Sequence, residues 1–316
     1  MDPLAFVDRR QLRRKLGFWR LVAIGLIVLV AIGVYVGIAQ SRSGVLGASQ
    51  VARITVSGVI LDDRELLERL DRIAKADQVK GLIVSINSPG GSTYGGETLY
   101  DAIRKVAEKK PVVSDVRTLA ASAGYMVAIA GDRIVAGDTS ITGSIGVLFQ
   151  YPQVKTLLDK LGVSLEEIKS APLKAEPSPF HPPSDAAKAV VQSMIDDSYA
   201  WFVDLVAERR KISREEALRL GDGRIFTGRQ AVDLKLIDEL GGEREIRDYL
   251  KSRNVADTLP IVDWEKPETG LPFGLGSLAA IFAKSLGFDG FPFSGNLSQD
   301  KLFLDGLVSV WQVGRD

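Results

Sequence analysis

Gly81-Leu82-Ile83-Val84-Ser85-Ile86-Asn87-Ser88-Pro89-Gly90-Gly91-Ser92 is the stretch from which the fold is read. Its first seven residues form an apolar, β-branched run. Such a run, broken by a Pro-Gly-Gly cluster, reads as a buried strand that ends in a turn. Upstream, Val51–Ile60 is also strand-like, and Asp62–Asp77 carries Leu66, Leu67, Leu70 and Ile73 at helical spacing. Downstream come a helix over Glu97–Lys109, a strand over Pro111–Val116 and a buried helix over Ser122–Ala130. Short apolar runs follow at Arg133–Ala136 and Ser144–Phe149. Strands alternating with helices in this way predict an α/β fold built on parallel strands. Ser184–Arg210 reads as a long amphipathic helix with Val190, Met194, Ile195, Trp201, Phe202 and Val206 on a packing stripe. No internal repeat divides the chain into two copies of one unit.

The two ends differ from this middle. Residues 1–20 hold Arg9, Arg10, Arg13, Arg14, Lys15 and Arg20 against Asp2 and Asp8, and an uncharged apolar run, Leu21–Ala39, follows. At about 1.5 Å per residue the run matches a bilayer core of about 30 Å. The expected organisation is a basic cytoplasmic segment, 1–20, a retained single-pass transmembrane helix, 21–39, and a Ser/Gly linker, 40–50. Positive-inside orientation then puts the remainder on the extracytoplasmic side of a cell membrane. A domain over 51–264 is long enough for one sizeable core. The last stretch, 265–316, is rich in Gly, Phe and Leu, and Leu278–Leu286 is too short to cross a membrane. Basic and acidic residues balance at 40 each, which points away from nucleic acid. No cofactor or metal is called for.

The chemistry concentrates on one hydroxyl. Ser122 sits in Leu119-Ala120-Ala121-Ser122-Ala123-Gly124-Tyr125, at the start of the buried helix, where backbone N–H groups lack helical partners. A serine needs a neighbouring base to act as a nucleophile. The chain has one histidine, His181, and no cysteine, so the base is His181, a lysine or a carboxylate. The glycine turn at Gly90-Gly91 lets backbone N–H groups approach a ligand closely. The Gly91 (or Gly90) N–H and the Ala123 N–H are together expected to supply the donor pair of an oxyanion hole, the device that stabilises a carbonyl oxygen in acyl transfer. The G-x-S-x-G elbow of α/β-hydrolases is absent.

Asn87-Ser88-Pro89-Gly90-Gly91-Ser92, Ala120-Ala121-Ser122-Ala123-Gly124-Tyr125 and Thr142-Gly143-Ser144-Ile145-Gly146-Val147 resemble, in this order, the signal peptide peptidase SppA family. The likeness continues through Lys174 to Pro179-Phe180, then Phe226-Thr227-Gly228-Arg229-Gln230-Ala231 and Leu236-Ile237-Asp238. The chain is similar to the short, single-unit members. The resemblance implies a crotonase/Clp-protease-like fold of repeated β-β-α units in a superhelix, preceded by the membrane helix. It implies a serine endopeptidase that degrades released signal peptides and other apolar peptides by acyl-enzyme hydrolysis. It makes Ser122 the nucleophile, Lys174 the general base, Ser144 the hydroxyl that orients the lysine, and Gly91 and Ala123 the oxyanion donors. It further implies a homo-oligomeric ring in which neighbouring subunits complete the dyad. Position 123 is Ala where the family often has Gly, and position 171 is Ala where Gly is common.

A charged lysine cannot accept a proton, but burial disfavours the charged form. The residues around Lys174 are apolar apart from Glu176, a composition that suits a pocket. His181, followed by Pro182-Pro183, is the rival base and fits a Clp-type triad badly, because that histidine follows the serine sooner and lies on a helix. Two other functions compete. Acyl-CoA hydratase or isomerase chemistry uses the same fold, but its thioesters are cytoplasmic. An inactive membrane scaffold would not need Ser122, Ser144 and Lys174 together.

Overall fold

The computed structural model describes residues 48–264, the strand Val308–Val310, and Trp19, Val22, Gly25, Leu26, Val30 and Gly33. Most of the basic segment, of the linker and of Leu21–Ala39, and the rest of the tail, with Leu278–Leu286, lie outside the described residues, while Gln50, read as the last linker residue, opens the first strand. No helix among the described residues is long and apolar enough to cross a membrane. The chain divides into two units, Met1–Ser49 and Gln50–Asp316, and all further geometry belongs to the second.

Strand β1 (Gln50–Ile60), helix α1 (Arg64–Lys75), strand β2 (Val79–Ser92), helix α2 (Thr93–Ala107) and strand β3 (Val112–Ala121) follow one another. The three strands pair in parallel, β1 with β2 and β2 with β3. Strand β2 is longer than its apolar run suggested, because Ser88–Ser92 continues it in extended form. Helix starts are set by side chains, as short polar residues favour. Asp63 accepts from the Leu66 N–H at 3.0 Å, and Ser92 from the Gly95 N–H at 3.1 Å.

After β3 come the short helix α3 (Ala123–Ala128), strand β4 (Arg133–Ala136) and strand β5 (Ile141–Gly143). The apolar run Ser144–Phe149 is not a strand. The regular pairing stops at Gly143, where the backbone turns left-handed. Helix α4 (Lys155–Lys160) interrupts an irregular, largely exposed segment, and helix α5 spans Asp185–Arg210. Then follow α6 (Arg214–Leu220), β6 (Ile225–Thr227), α7 (Gly228–Asp233), β7 (Glu239–Leu240), α8 (Glu243–Ser252), β8 (Ile261–Asp263) and β9 (Val308–Val310). The described strands form one sheet in the order β6-β5-β3-β2-β1-β8, with β4 and β7 branching from β3 and β9 from β2.

Strand side chains alternate between faces with period two. Ala52, Ile54, Leu82, Val84 and Val112 point to the larger core, with residues of α1, α2, α3 and α5. Val51, Ile83, Val113 and Val135 point to the other face, against Ile246 and Leu250 of α8. Both faces of the central strands are covered, which is why these strands read as nearly continuous apolar runs. The packing stripe of α5 is realised only in part. Phe202 and Val206 are buried, whereas Val190 and Met194 are about half exposed, at 47% and 50%.

Asp238 ties the far side together. It accepts from the Ile134 N–H at 2.7 Å and from Arg210 at 2.9 Å and 3.2 Å. The Arg210 side chain is only 9% exposed, so losing its partner strands an enclosed charge. Asp238→Ala is expected to cost about 2–4 kcal/mol of stability. Urea denaturation checks this, and a shift below about 0.5 kcal/mol would contradict it.

Candidate active site

The glycine segment is an extended strand rather than a turn. Gly91 lies opposite Ile60 in β1, and a side chain there would meet the Ile60 carbonyl oxygen at 1.8 Å, so only glycine fits. Ser88 Oγ donates to the Gly58 carbonyl at 2.7 Å and accepts from the Gly90 N–H at 3.1 Å. The Gly90 N–H is therefore engaged within its own strand. On the other edge, β9 runs antiparallel to β2, with Gly90 opposite Val310, Gly91 opposite Ser309 and Ser92 opposite Val308.

Ser122 forms the junction between β3 and α3. Its backbone sits at φ 60° and ψ −121°, a region that costs a non-glycine residue about 1–3 kcal/mol. Three backbone hydrogen bonds hold it there. The Ser122 N–H donates to the Gly143 carbonyl at 2.8 Å, and its own carbonyl accepts from Tyr125 and Met126 at 2.9 Å and 3.0 Å. Every residue of α3 is buried. Tyr125 anchors the helix by donating its hydroxyl to the Leu236 carbonyl at 2.8 Å, and burial pushes that phenol well above its ordinary range.

Two more glycines bring the junction against its neighbours. A side chain at Gly124 would meet the Ser88 carbonyl oxygen at 2.8 Å. One at Gly96 would meet Met126 Sδ at 2.9 Å and Ala123 Cβ at 3.1 Å. The glycine strand, α2 and the start of α3 thus meet at van der Waals contact. Ala123 is in the first turn of α3, where N–H groups lack helical partners.

Ser144 is joined to Ser122 through one residue. Gly143, whose carbonyl receives the Ser122 N–H, has φ 90°, and Ser144 follows at φ 51°. The Ser144 N–H donates to the Arg224 carbonyl at 2.7 Å, and β6 pairs antiparallel with β5. Phe226 of β6 packs so closely on Gly143 that a side chain there would meet its ring at 2.7 Å. Ser122 and Ser144 are both buried, at 1% and 8% exposure. The Phe226–Ala231 motif therefore supports the site from behind, and Thr227 and Gln230 close α7 with a capping box.

Lys174 is not part of this assembly within one chain. It is exposed, in contrast to the apolar pocket expected around it. Its N–H donates to the Ala171 carbonyl at 3.1 Å, so the turn forms with Ala at position 171. The Lys174 ammonium makes no hydrogen bond or ion pair among the described residues. The segment that carries it folds on itself, with the Val154 N–H on the Pro179 carbonyl at 2.8 Å and Gln153 Nε2 on the Ser178 carbonyl at 2.7 Å. His181 faces carboxylates, Glu176 at 3.3 Å and Glu167 at 3.5 Å, and makes no hydrogen bond to Ser122.

Gly91, Ala123, Ser122 and Ser144 are thus gathered on the glycine strand and the two left-handed junctions, while Lys174 and His181 stand on an excursion between Ser144 and Ser184. Gly96 carries no signature in the sequence, and the motifs that contain Gly124 and Gly143 do not announce the close approach and the hydrogen bond that these two provide. Among the described residues, no group of three or more His, Asp or Glu is placed to hold a metal ion.

Comparison with known proteins agrees with this architecture. The model of peptidase family S49 matches residues 104–256, and that of Clp protease matches residues 51–139. A protein of Methanocaldococcus jannaschii described as a protease is 38% identical over 68% of this chain and 69% of its own length. A protein of Synechocystis described as a protease is 36% identical over 69% of this chain and 77% of its own. A protein of Enterococcus faecium described as signal peptide peptidase SppA is 32% identical over 71% of this chain and 70% of its own. With such relatives matched over most of their length, this chain belongs to peptidase family S49, a family of serine peptidases.

Proposed function

We propose that the protein is a membrane-anchored endopeptidase that degrades released signal peptides and other apolar peptides on the extracytoplasmic side, with Ser122 as nucleophile and Lys174 as general base. The observation that carries this reading is the strained Ser122 junction, held beside a glycine strand and next to a second buried serine. Strain at a buried hydroxyl, maintained by surrounding hydrogen bonds, is characteristic of a reactive site.

In the proposed cycle a neutral Lys174 amine takes the Ser122 Oγ proton as Oγ bonds to the scissile carbonyl carbon. The carbonyl oxygen gains the negative charge and points to the Gly91 and Ala123 N–H groups. The lysine then gives its proton to the departing amine as the C–N bond breaks, leaving an acyl-enzyme. Water, deprotonated by the same lysine, releases the acid and restores Ser122. Ser144 orients the amine. The Gly90 N–H is already engaged with Ser88, which favours Gly91 as the strand donor.

A fully solvated ammonium is a poor base, so the exposed Lys174 calls for a cover. The excursion that bears it also exposes Leu157, Leu161, Val163, Leu165 and Leu173. A neighbouring copy packed on this apolar surface in a homo-oligomeric ring would enclose Lys174 against a Ser122 other than its own. The substrate would take the place of β9 on the Gly90–Ser92 edge of β2, as an antiparallel strand of the same geometry.

Ser122→Ala and Lys174→Ala are each expected to lower kcat on an apolar peptide by at least about 10³-fold. Mixing the two inactive variants is expected to restore activity if the dyad spans subunits, and full activity in Lys174→Ala alone would sink the dyad. Ser309→Pro, which removes a backbone donor of β9, is expected to raise kcat/KM by freeing the β2 edge. An unchanged value would show that β9 does not compete with substrate.

A further inference from the structure

We propose that Glu176, clamped by Lys169 and His181, is a positioning residue that fixes the turn presenting Lys174. The inference rests on Lys174 being the general base. It starts from an oddity of the excursion: most of its side chains are exposed, yet the Glu176 side chain is only 7% exposed. An enclosed carboxylate must be fully partnered. Glu176 Oε1 receives Lys169 Nζ at 2.8 Å and faces His181 Nε2 at 3.3 Å, and Oε2 accepts the Ser178 N–H at 3.3 Å. Lys169 is shared with Glu167 at 2.5 Å, and Glu167 also faces His181 at 3.5 Å. The Lys169 ammonium holds both carboxylates below their usual range.

The clamp sits two residues from the amine. Between Glu176 and Lys174 lies Ala175 at φ 60°, a left-handed conformation that a non-glycine residue adopts only when its surroundings impose it. Two backbone ties also lie inside this turn, the Lys174 N–H on the Ala171 carbonyl at 3.1 Å and the Glu176 N–H on the Leu173 carbonyl at 3.4 Å. The far side of the loop is secured separately, by Gln153 on the Ser178 and His181 carbonyls at 2.7 Å and 3.1 Å. Glu176 is therefore the nearest point beyond Lys174 at which a side chain fixes the backbone. A lysine that must reach a serine on a neighbouring copy has little tolerance for error, since misplacement by about 1 Å can cost roughly 10²-fold in rate. On this reading the chain's single histidine supports the lysine rather than replacing it.

The test uses the full chain and an apolar peptide, with kcat, KM and Tm measured together. Glu176→Gln and Lys169→Met are each expected to lower kcat by about tenfold or more. KM should stay within about twofold in both, and Tm within about 3 °C in Glu176→Gln, which strands no charge because Lys169 keeps Glu167. Lys169→Arg, which keeps the charge and the reach, is expected to restore kcat. The double variant should be no worse than either single one, because the unit is already broken. Wild-type kcat in Glu176→Gln or Lys169→Met, with Lys174→Ala inactive, would overturn the positioning role alone. So would losses that track Tm or add in the double variant. Activity in Lys174→Ala would instead overturn the base assignment beneath it. If Glu176→Gln does not fold, the comparison of Lys169→Met with Lys169→Arg decides the question.

Discussion

The hydrogen bond from the Ser122 N–H to the Gly143 carbonyl, 2.8 Å long, joins two strand ends that would otherwise be independent. β3 delivers Ser122 and β5 delivers Gly143, and both chains turn left-handed there. The turn at Ser122 is unfavourable for serine, whereas glycine at position 143 takes up its positive φ freely. The unstrained strand end at Gly143 therefore holds the strained one at Ser122. Around this pair the rest of the second unit acts as support. Tyr125 fixes α3 through the Leu236 carbonyl, β6 fixes Gly143 through Phe226, and Asp238 fixes β4 to α5.

Glycines supply the second constraint. Gly91, Gly124 and Gly96 sit where a single added carbon would collide with backbone or with a packed side chain. Their role is to let three elements approach, so that the strand bearing Gly91 lies beside the helix that begins after Ser122. The Gly90–Ser92 edge of the sheet accepts an antiparallel strand, as β9 demonstrates.

Much of the fold was legible because both faces of the central strands are covered. That burial produces long apolar runs such as Gly81–Asn87, and the helices between them announce themselves by period and by capping residues such as Ser92 and Ser184. The Ser88–Ser92 segment was misread as a turn. Pro and Gly ordinarily signal one, but here β1 on one side and β9 on the other keep it extended. The Val190 and Met194 part of the α5 stripe was read as packing, yet it is open within a single chain.

By itself the sequence determined the candidate nucleophile, the alternation of strands and helices, and the family resemblance, because these depend on local pattern and motif order. Only the tertiary structure decided how Ser122 is held, since its partner carbonyl lies on another strand. Only it showed that Lys174 is exposed in one chain and that Glu176 is enclosed beside it. Burial is a property of what packs around a residue, and the residues adjacent in sequence do not report it.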